Sequence, residues 1–179
     1  MNALLAFARA VDWVSDHFGS VAKWAVFLSC FISAGNAAVR YLFDYSSNSF
    51  LEVQWYMFAA CVMFGAAQVL RVNEHVRVDV LYGLYSGKVQ VWIDILGLAF
   101  FLLPVMVVML YLSTPLFVKF YVTNEMSSQA GGLVRWPAML TLPLGFGLMV
   151  LQGVAEIIKR FGWLMHKYDM DIHYERPLQ

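Results

Sequence analysis

Four stretches of this chain carry at most two charges each and are long enough to cross a bilayer: residues 21–43, 50–70, 89–112 and 136–158. Roughly 20 apolar residues of helix cover the ~30 Å of a hydrocarbon core. In that core no water is available to peptide groups, so the backbone must satisfy itself within a helix. The composition agrees: 61% of the residues are hydrophobic and only 13% are charged, where a soluble domain has about a quarter charged. An all-α integral membrane protein with four transmembrane helices is the expected fold class.

Residues 1–20 are too polar to span. Leu4, Phe7, Val11, Val14 and Phe18 recur at helical spacing with Arg9, Asp12 and Asp16 between them, the pattern of an amphipathic interfacial helix lying on the membrane surface. The domain from 21 to 160 then holds the four spans, and 161–179 form a polar tail. The turn from Asp44 to Ser49 is short enough to force the first two spans into an antiparallel hairpin. Pro104 should kink the third span and Pro143 the fourth, whereas Pro137 falls in a first turn, where a missing N–H costs little. Nine Lys and Arg residues flank one end of the spans (Arg9, Lys23, Arg71, Arg77, Lys88, Lys159, Arg160, Lys167, Arg176) against Arg40, Lys119 and Arg135 at the other. Positive residues favour the cytoplasmic side, so both termini are expected there and the connection from Ser113 to Arg135 outside. A formal net charge of zero offers nothing to nucleic acid.

The densest polar segment runs from Arg71 to Leu84, where Arg71, Glu74, His75, Arg77 and Asp79 crowd between the second and third spans. Arg71, His75 and Asp79 form a helical stripe, which favours a surface-lying helix. Val76, Val78 and Val80 also alternate as in a strand, but the chain offers that strand no partner. Orientation and headgroup contact is one role for these charges, and docking of another protein is the other.

Within the spans, Arg40 and Glu52 fall at similar depth on either side of the short turn, so an ion pair closing the hairpin is expected. Lys23, Asp94 and Glu156 lie toward the opposite helix ends, shallow enough to snorkel or to pair with one another. Gln54, Gln68 and Gln152 suit hydrogen bonds between helices. Cys30 and Cys61 sit in apolar stretches as small packing residues. None of His17, His75, His166 and His173 is at the core of a span, which argues against a membrane haem protein. No metal-ligand spacing, phosphate-binding glycine loop or nucleophile elbow is present. Nor is there a polar mid-span or an internal repeat of the sort that carriers build around a central site.

In order and spacing, several short segments resemble the small membrane subunit (Q subunit, DctQ-like) of tripartite ATP-independent periplasmic (TRAP) transporters. They are Asn36-Ala-Ala-Val-Arg-Tyr41, Glu52 at the start of the second span, Phe64-Gly-Ala-Ala67 and Asn73-Glu-His-Val-Arg-Val-Asp79. Trp136-Pro137, Leu142-Pro-Leu-Gly145 and Leu151-Gln-Gly153 follow. The resemblance implies a non-catalytic scaffold subunit of the bacterial inner membrane. It would work beside a large membrane subunit that carries the substrate and sodium sites and moves as an elevator. A periplasmic substrate-binding protein would deliver an organic anion such as a carboxylate. No cofactor is implied for this chain, since sodium coupling belongs to the large subunit. Arg40, Glu52, Arg71, Asn73, Glu74, His75, Arg77, Asp79, Trp136 and Pro137 become the candidates for assembly contacts. The alternatives from other classes are the anchor subunit of a respiratory oxidoreductase and a stand-alone channel or exporter.

Overall fold

A computed structural model describes residues 1–45, 47–73 and 85–169. Four helices dominate it: α1 (Asn2–Phe43), α2 (Asn48–Arg71), α3 (Gly87–Thr123) and α4 (Trp136–Leu164), each long and apolar enough to cross a membrane. The helices run alternately up and down, so the start of α1 lies against the end of α4. A Cβ at Gly162 would come within 3.3 Å of Leu5.

The expected surface helix over residues 1–20 is not a separate element. α1 is a single helix of 42 residues, about 63 Å long at 1.5 Å per residue. Nothing in the sequence breaks it where one span was expected to begin. Gly19 serves close packing there: the Gln68 side chain occupies the space a Cβ would take, with Gln68 Oε1 2.1 Å from that position. α1 ends at Asp44, whose left-handed backbone (φ 52°) returns its N–H to the Arg40 carbonyl at 3.1 Å. Ser47 then caps α2 by accepting the Ser49 N–H at 3.3 Å.

The third span is also longer than expected. Instead of ending near Leu112, α3 continues through Pro115 to Thr123, so the connection to α4 is residues 124–135 rather than a loop beginning at Ser113. Pro115 removes one backbone donor, the one that would serve the Tyr111 carbonyl, a loss that a membrane helix tolerates. The neighbouring Ser113 and Thr114 hydroxyls stay within the helix by donating to the Leu110 carbonyl at 3.2 and 2.7 Å. At Pro104 the accommodation is different. A π-helical turn, Leu98–Leu102, directly precedes it and leaves the proline at the start of the next α-helical stretch, where its missing N–H removes little.

α4 is the organising helix. It packs against α1 and α2 on one side and α3 on the other, and among the described residues α3 makes its substantial contacts with α4 alone. The main apolar core gathers Ala22, Phe64, Ala67, Leu70, Leu98, Leu148 and Met149, and a second cluster joins Ala8 and Val11 to Ala155. Both lie toward the end carrying the termini. Away from it the helices present bare apolar surface: Phe100, Phe101, Tyr111 and Val122 of α3 are all at least 70% exposed.

Candidate functional site

Polar side chains converge at each end of the four helices. At the end carrying the termini, α4 presents Gln152, Glu156, Lys159 and Arg160 on one face. Their spacing of three and four residues stacks them there. Gln152, fully buried, accepts from Ser15 Oγ at 2.7 Å and donates from Nε2 to Asp12 Oδ1 and Glu156 Oε1, both at 2.9 Å. Lys159 Nζ reaches both Asp12 carboxylate oxygens at 3.0 and 3.2 Å and pairs with Glu156. Arg160 pairs with Glu156 and, through Nε and Nη2, with Asp94 Oδ2 at 3.2 Å. This network joins α1, α3 and α4. One turn along α1, Asp16 pairs with Arg71 at the end of α2, so all four helices are fastened by charge at one level.

The physical reason is satisfaction. Glu156, Lys159 and Arg160 are each at most 6% exposed, and buried ions persist only where partners replace the lost water. Lys23, Asp94 and Glu156 were expected to snorkel or to pair with one another; instead Asp94 and Glu156 both take Arg160 as partner, while Lys23 is exposed and outside the network. Asp12, Ser15, Lys159 and Arg160 were not singled out from sequence, although the run Gln152, Glu156, Lys159, Arg160 is a polar stripe on an otherwise apolar helix.

At the opposite end, the first three turns of α2 hold the α3–α4 connection. That connection is a small hairpin: Met126 and Val134 form an antiparallel bridge, Ser127 N–H donates to Leu133 O at 2.9 Å, and Gly131 turns the chain with φ 71°. Four α2 side chains meet its returning strand. Asn48 Nδ2 donates to the Ala130 carbonyl at 3.0 Å, Ser49 Oγ to the Gly131 carbonyl, and Tyr56 OH to the Val134 carbonyl at 3.1 Å. Glu52 Oε2 accepts the Leu133 N–H at 2.6 Å. A Cβ at Gly132 would lie 2.5 Å from Ser127 Cβ and 3.0 Å from Glu52 Oε1, so only glycine fits there.

The expected Arg40–Glu52 ion pair is therefore replaced. Glu52, 2% exposed, turns to the hairpin backbone, and Arg40 is exposed with no ion pair among the described residues. Trp136 stacks edge-on with Tyr121 at 5.6 Å, Pro137 sits in the first turn of α4, and Arg135 pairs with Glu125 at 3.2 Å while lying over Phe120. These contacts close the α3–α4 corner within the chain. Arg71 likewise has its partner inside the chain. Asn73 adopts a left-handed backbone (φ 62°) just after α2. Glu74, His75, Arg77 and Asp79, with the helix expected across them, lie outside the described residues.

Neither polar assembly resembles a reaction centre. Among the described residues no three His, Cys, Asp or Glu side chains are placed to hold a metal ion, and each buried carboxylate is engaged by the chain itself. Fold and sites together define a multispanning membrane protein whose buried charges hold its helices and its hairpin together. Residues 29–162 match the family described as tripartite ATP-independent periplasmic transporters, DctQ component. That match covers most of the chain, which belongs to this family and is a non-enzymatic membrane component of a TRAP transporter. No curated protein and no solved structure matches the chain.

Proposed function

We propose that this chain is the small scaffold subunit of its transporter, extending a large membrane subunit that performs sodium-coupled uptake of an organic anion handed over by a periplasmic binding protein. The observation that carries this reading is where the charges go. Glu52 holds a hairpin, while Glu156, Lys159 and Arg160 join helices, so the buried charges of the described residues serve to hold the chain together. A rigid, apolar, multi-helix body suits a static platform. The excess of Lys and Arg at the end carrying the termini supports a cytoplasmic location for both termini in the inner membrane. The 124–135 hairpin would then face the periplasm. Fastened by four α2 side chains, it offers the binding protein a preformed surface.

The test is reconstitution. Proteoliposomes holding the large subunit, with the binding protein and a labelled organic acid outside, should accumulate label down a sodium gradient only when this chain is also present. Full uptake without it would overturn the scaffold role.

A further inference from the structure

The inward face of α1 is covered for only part of its length. Ala8, Val11, Ser15, Gly19, Ala22 and Ala25 recur every three or four residues and are buried. The same spacing, which keeps residues on one side of a helix, continues through Ser29, Ser33, Asn36 and Arg40. There the cover thins: Ser33 and Arg40 are exposed, and Ser29 and Asn36 are only half-buried. Ser33, Asn36, Ala37, Arg40, Tyr41 and Asp44 line an open cleft, and the most apolar 18-residue window of α1 has none of its residues buried, against 39% for the corresponding window of α4.

This thinly covered continuation is polar, which lipid does not explain. From Ser29 to Arg40 is eleven residues, about 16 Å along the axis, so half a bilayer of depth carries two hydroxyls, an amide and a guanidinium on one face. Asn36 and Arg40 make no side-chain hydrogen bond or ion pair among the described residues. Arg40 near the interface can extend to water, but Asn36, a full turn deeper, is too short to do so. Small side chains at Ser33 and Ala37 allow a second backbone to approach closely.

Building on the scaffold reading, we infer that the outer half of α1, along Ser33, Asn36 and Arg40, receives a membrane helix of the large subunit that carries a carboxylate at the depth of Arg40 and a hydrogen-bonding group at that of Asn36. The occupant continues the seam that α2 and α4 fill lower down. Its charge follows from the unneutralised guanidinium, and a lipid headgroup cannot serve Asn36 at the same time.

Co-expression with the large subunit tests this, the readout being the large subunit recovered per tagged small subunit in mild detergent. Asn36→Leu and Arg40→Gln should each lower recovery by about three- to tenfold, the range of an interhelical hydrogen bond or ion pair in a membrane. Thermal unfolding of the small subunit alone should not change. Gly35→Leu, on the opposite face, where a Cβ meets nothing within 4 Å, should leave recovery intact. If Asn36→Leu is neutral, or raises the stability of the isolated subunit, the face meets lipid and the inference fails. Equal losses from Gly35→Leu would also sink it, since the effect would not belong to this face. Failure of the wild-type chain to recover the large subunit would instead overturn the scaffold reading beneath it.

Discussion

Glu156 sits between two cations, Lys159 and Arg160, on the same face of α4 and shares Gln152 with Asp12. Removing one member of such a group leaves the others buried without compensation, which costs about 3–5 kcal/mol for a well-buried pair. Glu156→Ala should therefore lower the thermal midpoint of the purified subunit more than any substitution on the bare face of α3. A double-mutant cycle of Asp12→Leu and Lys159→Met should recover part of the two single losses, because both charges go together; strict additivity would show that the Asp12–Lys159 contact is not coupled. At the other end, Glu52→Gln keeps an oxygen to accept the Leu133 N–H, and Glu52→Leu does not. Protease cleavage within 124–135 should thus rise strongly for Leu and only slightly for Gln. Equal rates would mean that the hairpin does not depend on this bond. The sequence marked Glu52 as a residue with a partner yet pointed to Arg40, because a side chain advertises its charge and a backbone N–H advertises nothing. Asp12 was less legible still. Its partners lie 140 and 147 residues away, and on an amphipathic stripe a carboxylate facing another helix reads the same as one facing water.

Helices were legible as apolar runs, and their ends were not. An unbroken run reports where hydrocarbon can be, whereas a helix continues for as long as no residue stops it, so α1 extends to Asn2 and α3 to Thr123 beyond their spans. Pro115 reads as a stop, yet it takes only one backbone N–H out of the ladder and α3 runs through it. The continuity of α1 has a direct check. Spin labels at the exposed positions Arg9 and Phe31 are 22 residues apart, about 33 Å in a straight helix. A single narrow distance distribution near that value is expected in detergent and in lipid nanodiscs alike. A shorter, broader distribution in nanodiscs would restore the hinged surface helix that the amphipathic pattern suggests. A straight α1 of ~63 Å is about twice the ~30 Å of hydrocarbon, so it has length to spare beyond the lipid, and its first turns carry Asp12 and Asp16 to their cations.

On the scale of the whole molecule, the two polar assemblies divide the labour of holding four helices whose apolar surfaces have no preference for one another over lipid. In a membrane the hydrophobic effect does not drive helices together, and packing and polar contacts decide. Here the network fastens α1, α3 and α4 at one end, and the hairpin fastens α2 to the α3–α4 corner at the other. Substitutions at either end should then act on how much transporter assembles rather than on what it carries. In cells supplied with the other two components, Glu156→Ala and Gly132→Ala should lower the maximal uptake rate in proportion to the complex recovered from the membrane. The substrate concentration giving half-maximal uptake, and the order of preference among substrates, should match the wild type. Gly132→Ala is the sharper of the two. Its added methyl would meet Ser127 Cβ, the Gln129 carbonyl and Glu52 at once, which deforms the hairpin while leaving every charge in place. If it changes the half-maximal concentration with the complex intact, the hairpin takes part in receiving the loaded binding protein, and the outer end of this chain is a working surface as well as a fastening.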